Sequence, residues 1–294
     1  MLQQLTNGVA IGAVYALVAL GYALLFGTMR VVNLAYGEIL MVGAFAGLSA
    51  TTWLGASLPI ALTAGVLAAI AVGVLINELA VRPLGDVSNT KSPAHLSALI
   101  TTIGAALFIQ NAVQKIYGAQ DLAYPRLIST HYARLGPVSL SASQAMIVGV
   151  TIIVLIGLWV MVRFTRWGLA VRAVTENASV ASCLGMPVRR LQLQVVIISS
   201  ALAGIAGVLV AVLEHGVTPL MGVNFGLKGL AALIVGGIES LPGAVIAALL
   251  LGMAEVLSVA YWSDTYRDAI AYGALLLVVL MRPQGILGRS QSRY

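Results

Sequence analysis

The chain alternates long apolar runs with short polar connections along almost its whole length. Runs at 5–27, 33–50, 58–80, 96–114, 144–162, 192–213, 226–239, 242–258 and 267–282 predict nine helical segments. A helix rises 1.5 Å per residue, so about 20 residues are needed to cross a hydrocarbon core of ~30 Å; the runs at 226–239 and 267–282 are short by that measure. Glu239-Ser-Leu-Pro242-Gly243 interrupts what would otherwise be one run over 226–258. Proline has no N–H to give to a helix and glycine frees the backbone. A break near Pro242, with a short helix before it, is expected.

Composition says which solvent the runs face. The 294 residues are 60% hydrophobic and 9% charged, with a mean hydropathy of +0.99. A soluble domain of this length carries about a quarter charged residues. The expected fold is therefore an all-α, polytopic transmembrane helical bundle, a single transmembrane domain over 1–294. The net charge of +6 does not point to nucleic acid, because the basic residues lie between and after the runs, the footprint of membrane topology. No Lys or Arg precedes the first run, which is too long for a signal-peptide core, so a retained first span is expected.

Lys and Arg set the orientation. With the N-terminus outside, one side collects Arg30, Arg82, Lys91, the five arginines of 163–190, Arg282, Arg289 and Arg293, eleven in all. The other side collects Lys115, Arg126, Arg134, Lys228 and Arg267, which is five. The bias predicts an outside N-terminus, a cytosolic C-terminus and a cytosolic 163–190 loop. An even number of crossings must then separate that loop from the basic tail, which requires the split near Pro242. Segments of 5–114 and of 192–282 then run in opposite senses, as two inverted repeats joined by a linker span and loop over 144–190. Val32-Asn33 and Val223-Asn224 mark matching steps in each half.

Candidate chemistry is sparse. His95, His131 and His215 lack metal-ligand spacing, and lone Cys183 reads as a small apolar residue on a helix. No G-x-S-x-G elbow and no G-x-x-x-x-G-K-[ST] phosphate loop occurs, so any ATP-driven work needs another polypeptide. Glu78 and Arg82 are spaced as a helix-end pair, and Glu255 is expected near the outer end of its span, reaching solvent. Glu38 and Glu239 are candidates for a pathway or partner contact, against the blander reading of helix-end acids touching interfacial water. The candidate pathway set is Asn33, Tyr36, Glu38, Gly236, Gly237 and Glu239. No buried acid–base pair is evident, which counts against a self-contained secondary carrier or channel. Gly8/Gly12, Gly43/Gly47 and Gly222/Gly226 have the spacing that lets helices approach closely in lipid.

The 163–190 loop carries a local pattern. Ala170, Val174, Ala178, Ala181 and Leu184 fall near one helical stripe, while Arg172, Glu176, Ser179 and Ser182 turn elsewhere. Gly185 followed by Pro187 is a helix stop. One or two short amphipathic helices are expected, either held on lipid headgroups by their arginines or docking into a partner's groove.

Three stretches carry a family resemblance: GAVYALVALGYALLFGTMRVVNLAYGEILMVGAF from Gly12, RFTRWGLAVRAVTEN from Arg163, and GLKGLAALIVGGIESLPGA from Gly226, followed by RPQGILG from Arg282. In this order they resemble the permease subunits of bacterial branched-chain amino acid ABC importers. The resemblance implies a bacterial inner-membrane permease for branched-chain or related small amino acids, with urea or short amides as the alternative cargo on the same scaffold. It implies a second homologous permease, two cytosolic ATPases that bind ATP and Mg, an external solute-binding protein, and no cofactor on this chain. The loop would be the ATPase-coupling segment, with Arg172, Glu176, Asn177, Ala178 and Gly185 as contact candidates. The family usually has Phe-Ala-His-Gly-Asp where this chain has Leu34-Ala-Tyr36-Gly-Glu38. Tyrosine keeps a polar tip but does not titrate near neutrality, so a proton-linked role there loses support.

Overall fold

The computed structural model describes residues 2–55, 57–84, 93–125, 127, 132–135, 138–238 and 240–261, and parts of the chain from 269 to 287. It contains α1 (Leu2–Met29), α2 (Tyr36–Leu54), α3 (Leu58–Ile76), α4 (Pro93–Tyr117), β1 (Leu122–Ala123), β2 (Tyr132–Leu135), β3 (Val138–Ser141) and α5 (Ala142–Phe164). Then follow α6 (Arg166–Glu176), α7 (Ala178–Cys183), α8 (Val188–Glu214), β4 (Gly216–Val217), α9 (Met221–Gly236) and α10 (Leu241–Tyr261). Among the described residues, seven helices are long and apolar enough to cross a membrane: α1, α2, α3 with the turns after it, α4, α5, α8 and α10. The protein is a multi-pass helical membrane bundle. The expected ninth segment, 267–282, falls largely outside the described residues, and those described within it up to 280 are helical.

The break near Pro242 is present. Gly237, at φ 103°, ends α9, and α10 begins at Leu241 with Pro242 in its first turn, where the missing N–H has no helical partner to lose. The Ser240 hydroxyl accepts from the Gly243 N–H at 3.1 Å and caps the new helix. At 16 residues, α9 is the short helix expected there, although it starts at Met221, before the apolar run that signalled it.

Burial separates centre from rim. The best span windows of α1 and α8 are 83% and 78% buried, against 17% for α4 and 22% for α5. α4 and α5 turn Ile100, Phe108 and Ile153 outward, as lipid-facing helices do. The most extensive helix contacts are α1–α10, α2–α3, α3–α8, α2–α8, α1–α8, α9–α10, α1–α9 and α2–α9. Exchanging α1, α2 and α3 with α8, α9 and α10 maps this set onto itself.

Glycine makes two of these crossings possible. On α1, Gly8 and Gly12 lie against the backbone of Leu249, Gly252 and Met253, and a Cβ on Gly12 would sit 2.8 Å from the Leu249 Cα. On α2, a Cβ on Gly37 would strike the Gly222 carbonyl, and a Cβ on Gly226 would lie 2.8 Å from the Gly37 Cα.

The long connection between α4 and α5 is tied down. β1 pairs with β4 through Leu122–Val217 and Ala123–Gly216, and β2 pairs with β3 as a hairpin. The Tyr124 N–H donates to the His215 carbonyl at 3.0 Å; His215 itself ends α8 in the left-handed region at φ 55°. Burial pushes the Tyr124 phenol up to about 12.

Candidate functional site

Between α1 and α2 the chain turns back into the bundle. Arg30 adopts φ 56° to leave α1, and the Asn33 side-chain oxygen accepts from the Ala35 N–H at 3.0 Å to start α2. The Tyr36 hydroxyl donates to the Ser199 carbonyl of α8 at 2.8 Å, and its ring lies 4.5 Å from that of Tyr22. It presses on Gly21, where any Cβ would collide with the hydroxyl. Gly21 is eight residues before the end of α1, so Tyr36 sits roughly 12 Å inside that end. Glu38 follows one turn edge later, only 2% exposed, with its carboxyl against Gly222 of α9. Its Oε2 has no hydrogen-bond partner among the described residues. Glu38 is thus enclosed between α2 and α9 and does not reach interfacial water.

Gly236 and Gly237 lie at the other end of α9. Gly236 packs on the backbone of Gly243 and Ala244, while the segment near the C-terminus closes over the helix end. The Ile286 N–H donates to the Val235 carbonyl at 2.8 Å and the Leu287 N–H to the Gly236 carbonyl at 3.2 Å. Carbonyls left open by the early stop of α9 are met there, which gives Ile286 and Leu287 a structural role that sequence reading did not assign. Glu239 lies outside the described residues.

A buried charge cluster corrects two expectations. Lys228 does not belong to the outer cations: it sits midway along α9, 5% exposed. Glu255 does not reach solvent: it is fully buried on α10. Lys228 Nζ lies 2.9 Å from Glu255 Oε1, and the Tyr15 hydroxyl of α1 donates to Glu255 Oε2 at 2.7 Å. The ammonium also lies 5.9 Å from the centre of the Tyr15 ring. Because α9 begins at Met221, Lys228 falls two turns inside it, where only a neutralising partner makes its charge tolerable. The signal was a lysine and a glutamate in separate apolar runs, neither with an opposite charge within four residues on its own helix. The expected absence of a buried acid–base pair was therefore wrong.

At the far end from this cluster, two short helices form as expected. The Thr165 hydroxyl accepts from the Gly168 N–H at 3.1 Å to cap α6, and the Asn177 side chain accepts from the Val180 N–H at 3.1 Å to cap α7. Gly185, at φ 80°, stops α7, with the Met186 N–H on the Ala181 carbonyl at 3.1 Å. Val174, Ala181 and Leu191 form a small core with partly buried Trp167, Ala170 and Ala178. Leu184 departs from the predicted stripe: it is the residue just after α7 ends and is 75% exposed. Cys183 ends α7, on a helix as expected, and is exposed. Glu176 is exposed, and Arg172 reaches back along its helix to the Gly168 carbonyl at 3.4 Å.

The two short helices are tethered to the centre of the bundle. Arg30, at the end of α1, donates to the Thr175 carbonyl of α6 at 2.8 Å, and Gly27 lies beside Thr175. This bond links α6 to α1, the helix that carries both Tyr15 and the Gly21 seat of Tyr36.

Comparison with known proteins follows this geometry. Residues 4–280 match the family model described as the branched-chain amino acid transport system / permease component. The chain is 37% identical to the high-affinity branched-chain amino acid transport system permease protein LivH of Salmonella typhimurium, over 99% of this chain and 96% of that protein. It is 31% identical to the permease protein LivM of the corresponding Escherichia coli system, over 46% of this chain and 32% of that protein. Among solved structures, PsaBC from Streptococcus pneumoniae in complex with Fab shares the fold at a TM-score of 0.51 and 13% identity, covering 95% of this chain and 91% of that one. The apolar bundle, its break at Gly237 and the full-length match agree: the chain belongs to the permease family of branched-chain amino acid transport systems.

Proposed function

We propose that this permease imports branched-chain or related small amino acids across a bacterial inner membrane by alternating access, driven by two ATPases that dock on α6 and α7. The observation that carries this reading is the tether between α6 and α1 through Arg30 and Thr175, which gives a docked engine a direct hold on the central helix. ATP and Mg sit on the ATPases, an external binding protein delivers the solute, and a second permease of the same family completes the passage. The helix-exchange pattern of the core supports two inverted repeats over about 5–114 and 192–282, with 144–190 between them. The buried Lys228–Glu255 pair does not revive a self-contained carrier, because Tyr15 and the two charges already satisfy one another.

The cargo is tested by uptake into proteoliposomes holding the complete importer. ATP-dependent accumulation of labelled leucine is expected, with isoleucine and valine competing and urea not. Competition by urea or a short amide, without competition by isoleucine, would move the assignment to the alternative cargo.

Orientation places the N-terminus outside and the C-terminus and α6–α7 in the cytosol. Exposed Cys183 reports it directly, being the chain's single cysteine. A membrane-impermeant maleimide is expected to label inside-out vesicles and to leave right-side-out vesicles unlabelled. The reverse pattern would turn the topology over.

A further inference from the structure

A cavity of about 560 Å³ opens beside α7, at the end of the bundle where α1 meets α6. Three stretches remote in sequence build its wall. A π turn over Asn77–Val81 and the following 3-10 turn bring Asn77, Glu78 and Arg82; α7 brings Ser179 and Ser182; the first turn of α8 brings Arg189 and Arg190. Three arginines thus line one space that has a single carboxylate, Glu78, among its described lining; Glu78 is paired with Arg82, so Arg189 and Arg190 carry the excess positive charge. The first turn of α8 holds no acidic residue and no side chain caps it, so its unpaired amide dipoles add to the positive potential there. Arginines that merely follow topology would splay outward to separate headgroups. These line a shared cavity together with Ser179 and Ser182.

We propose that this cavity binds a phosphate-bearing anion, either the headgroup of an acidic phospholipid or a small soluble phosphate. Arg189 and Arg190 supply the planar forks that match phosphate oxygens, Arg82 stands on the same lining paired with Glu78, and Ser179 offers a hydroxyl beside Ser182, whose own proton goes to the Ser179 carbonyl at 2.7 Å. The volume lies within the range of small-molecule sites. A ligand held there bridges α7 to α8 and to the end of α3.

The test uses the full chain in nanodiscs of phosphatidylcholine alone, with two probes: phosphatidylglycerol added to the discs, or pyrophosphate added to the buffer. Binding is read by native mass spectrometry for the lipid and by calorimetry for pyrophosphate. At least one probe is expected to bind saturably. The double variant Arg189→Gln/Arg190→Gln should weaken it by about tenfold or more, and Ser182→Leu, which fills the space without changing charge, should weaken it too. Arg163→Gln/Arg166→Gln, outside the cavity, should leave it unchanged. Lipid binding alone identifies a headgroup, and pyrophosphate binding identifies a soluble source. The proposal is overturned if neither probe binds saturably. It is equally overturned if the outside pair weakens binding as much as the cavity pair, or if Ser182→Leu has no effect.

Discussion

Lys228→Met is expected to remove most of the folded protein. Glu255 would keep its bond from Tyr15 but lose the ammonium 2.9 Å away, removing a direct counter-charge from a carboxylate in the middle of the bundle. Breaking a buried pair from one side costs about 3–5 kcal/mol, a large share of the ~5–15 kcal/mol that holds a typical domain together. Glu255→Ala should be at least as harmful, since it takes one buried partner from both the lysine and the Tyr15 hydroxyl. The double variant Lys228→Met/Glu255→Gln should recover much of the loss, because two neutral side chains of similar size leave no charge to solvate. The readout is the monodisperse fraction in detergent and its thermal midpoint. Singles as stable as the parent protein would mean that water reaches the pair and that its burial is not the relevant fact.

The second large effect falls on the crossing of α2 and α9. Gly37→Leu should abolish transport and sharply lower the yield of folded protein, because its side chain would have to displace the Gly222 carbonyl and the Gly226 backbone. Overpacking by a few atoms costs ~1–3 kcal/mol where side chains can give way; here the obstacle is backbone, so the two helices must separate. Separation would also uncover Glu38, which Gly222 now covers. Gly149→Leu on α5 is the matched control, since a Cβ there meets nothing within 4 Å, and it should behave as the parent. Equal transport by both variants would show that the close approach is dispensable.

Much of the architecture was legible because lipid imposes a one-dimensional rule. Backbone groups must be satisfied within the segment, so each span announces itself as an apolar run, and Pro242 or Gly185 announces where one stops. The α6–α7 hairpin was legible for a similar reason: its capping and stop residues act on their own turns. The Lys228–Glu255–Tyr15 cluster was not, because its members come from α9, α10 and α1, and no local spacing reports a partner 240 residues away. The start of α9 at Met221 was hidden because the apolar run was taken from 226, which left Lys228 near its edge and counted with the outer cations. The closing of α9 by Ile286 and Leu287 uses backbone N–H groups, which leave no trace in side-chain pattern. The basic cavity depends on a π turn that brings Arg82 to Arg189, and helical periodicity alone does not foresee that turn.

The central claim, that partner ATPases drive this permease through α6 and α7, has one direct measurement. The complete importer is reconstituted with residues Glu176–Gly185 either native or scrambled, and ATPase retention, ATP hydrolysis and leucine uptake are followed together. The scrambled segment is expected to leave the long helices folded, release the ATPases and abolish ATP-dependent uptake. Normal ATPase retention with normal uptake would contradict the coupling assignment.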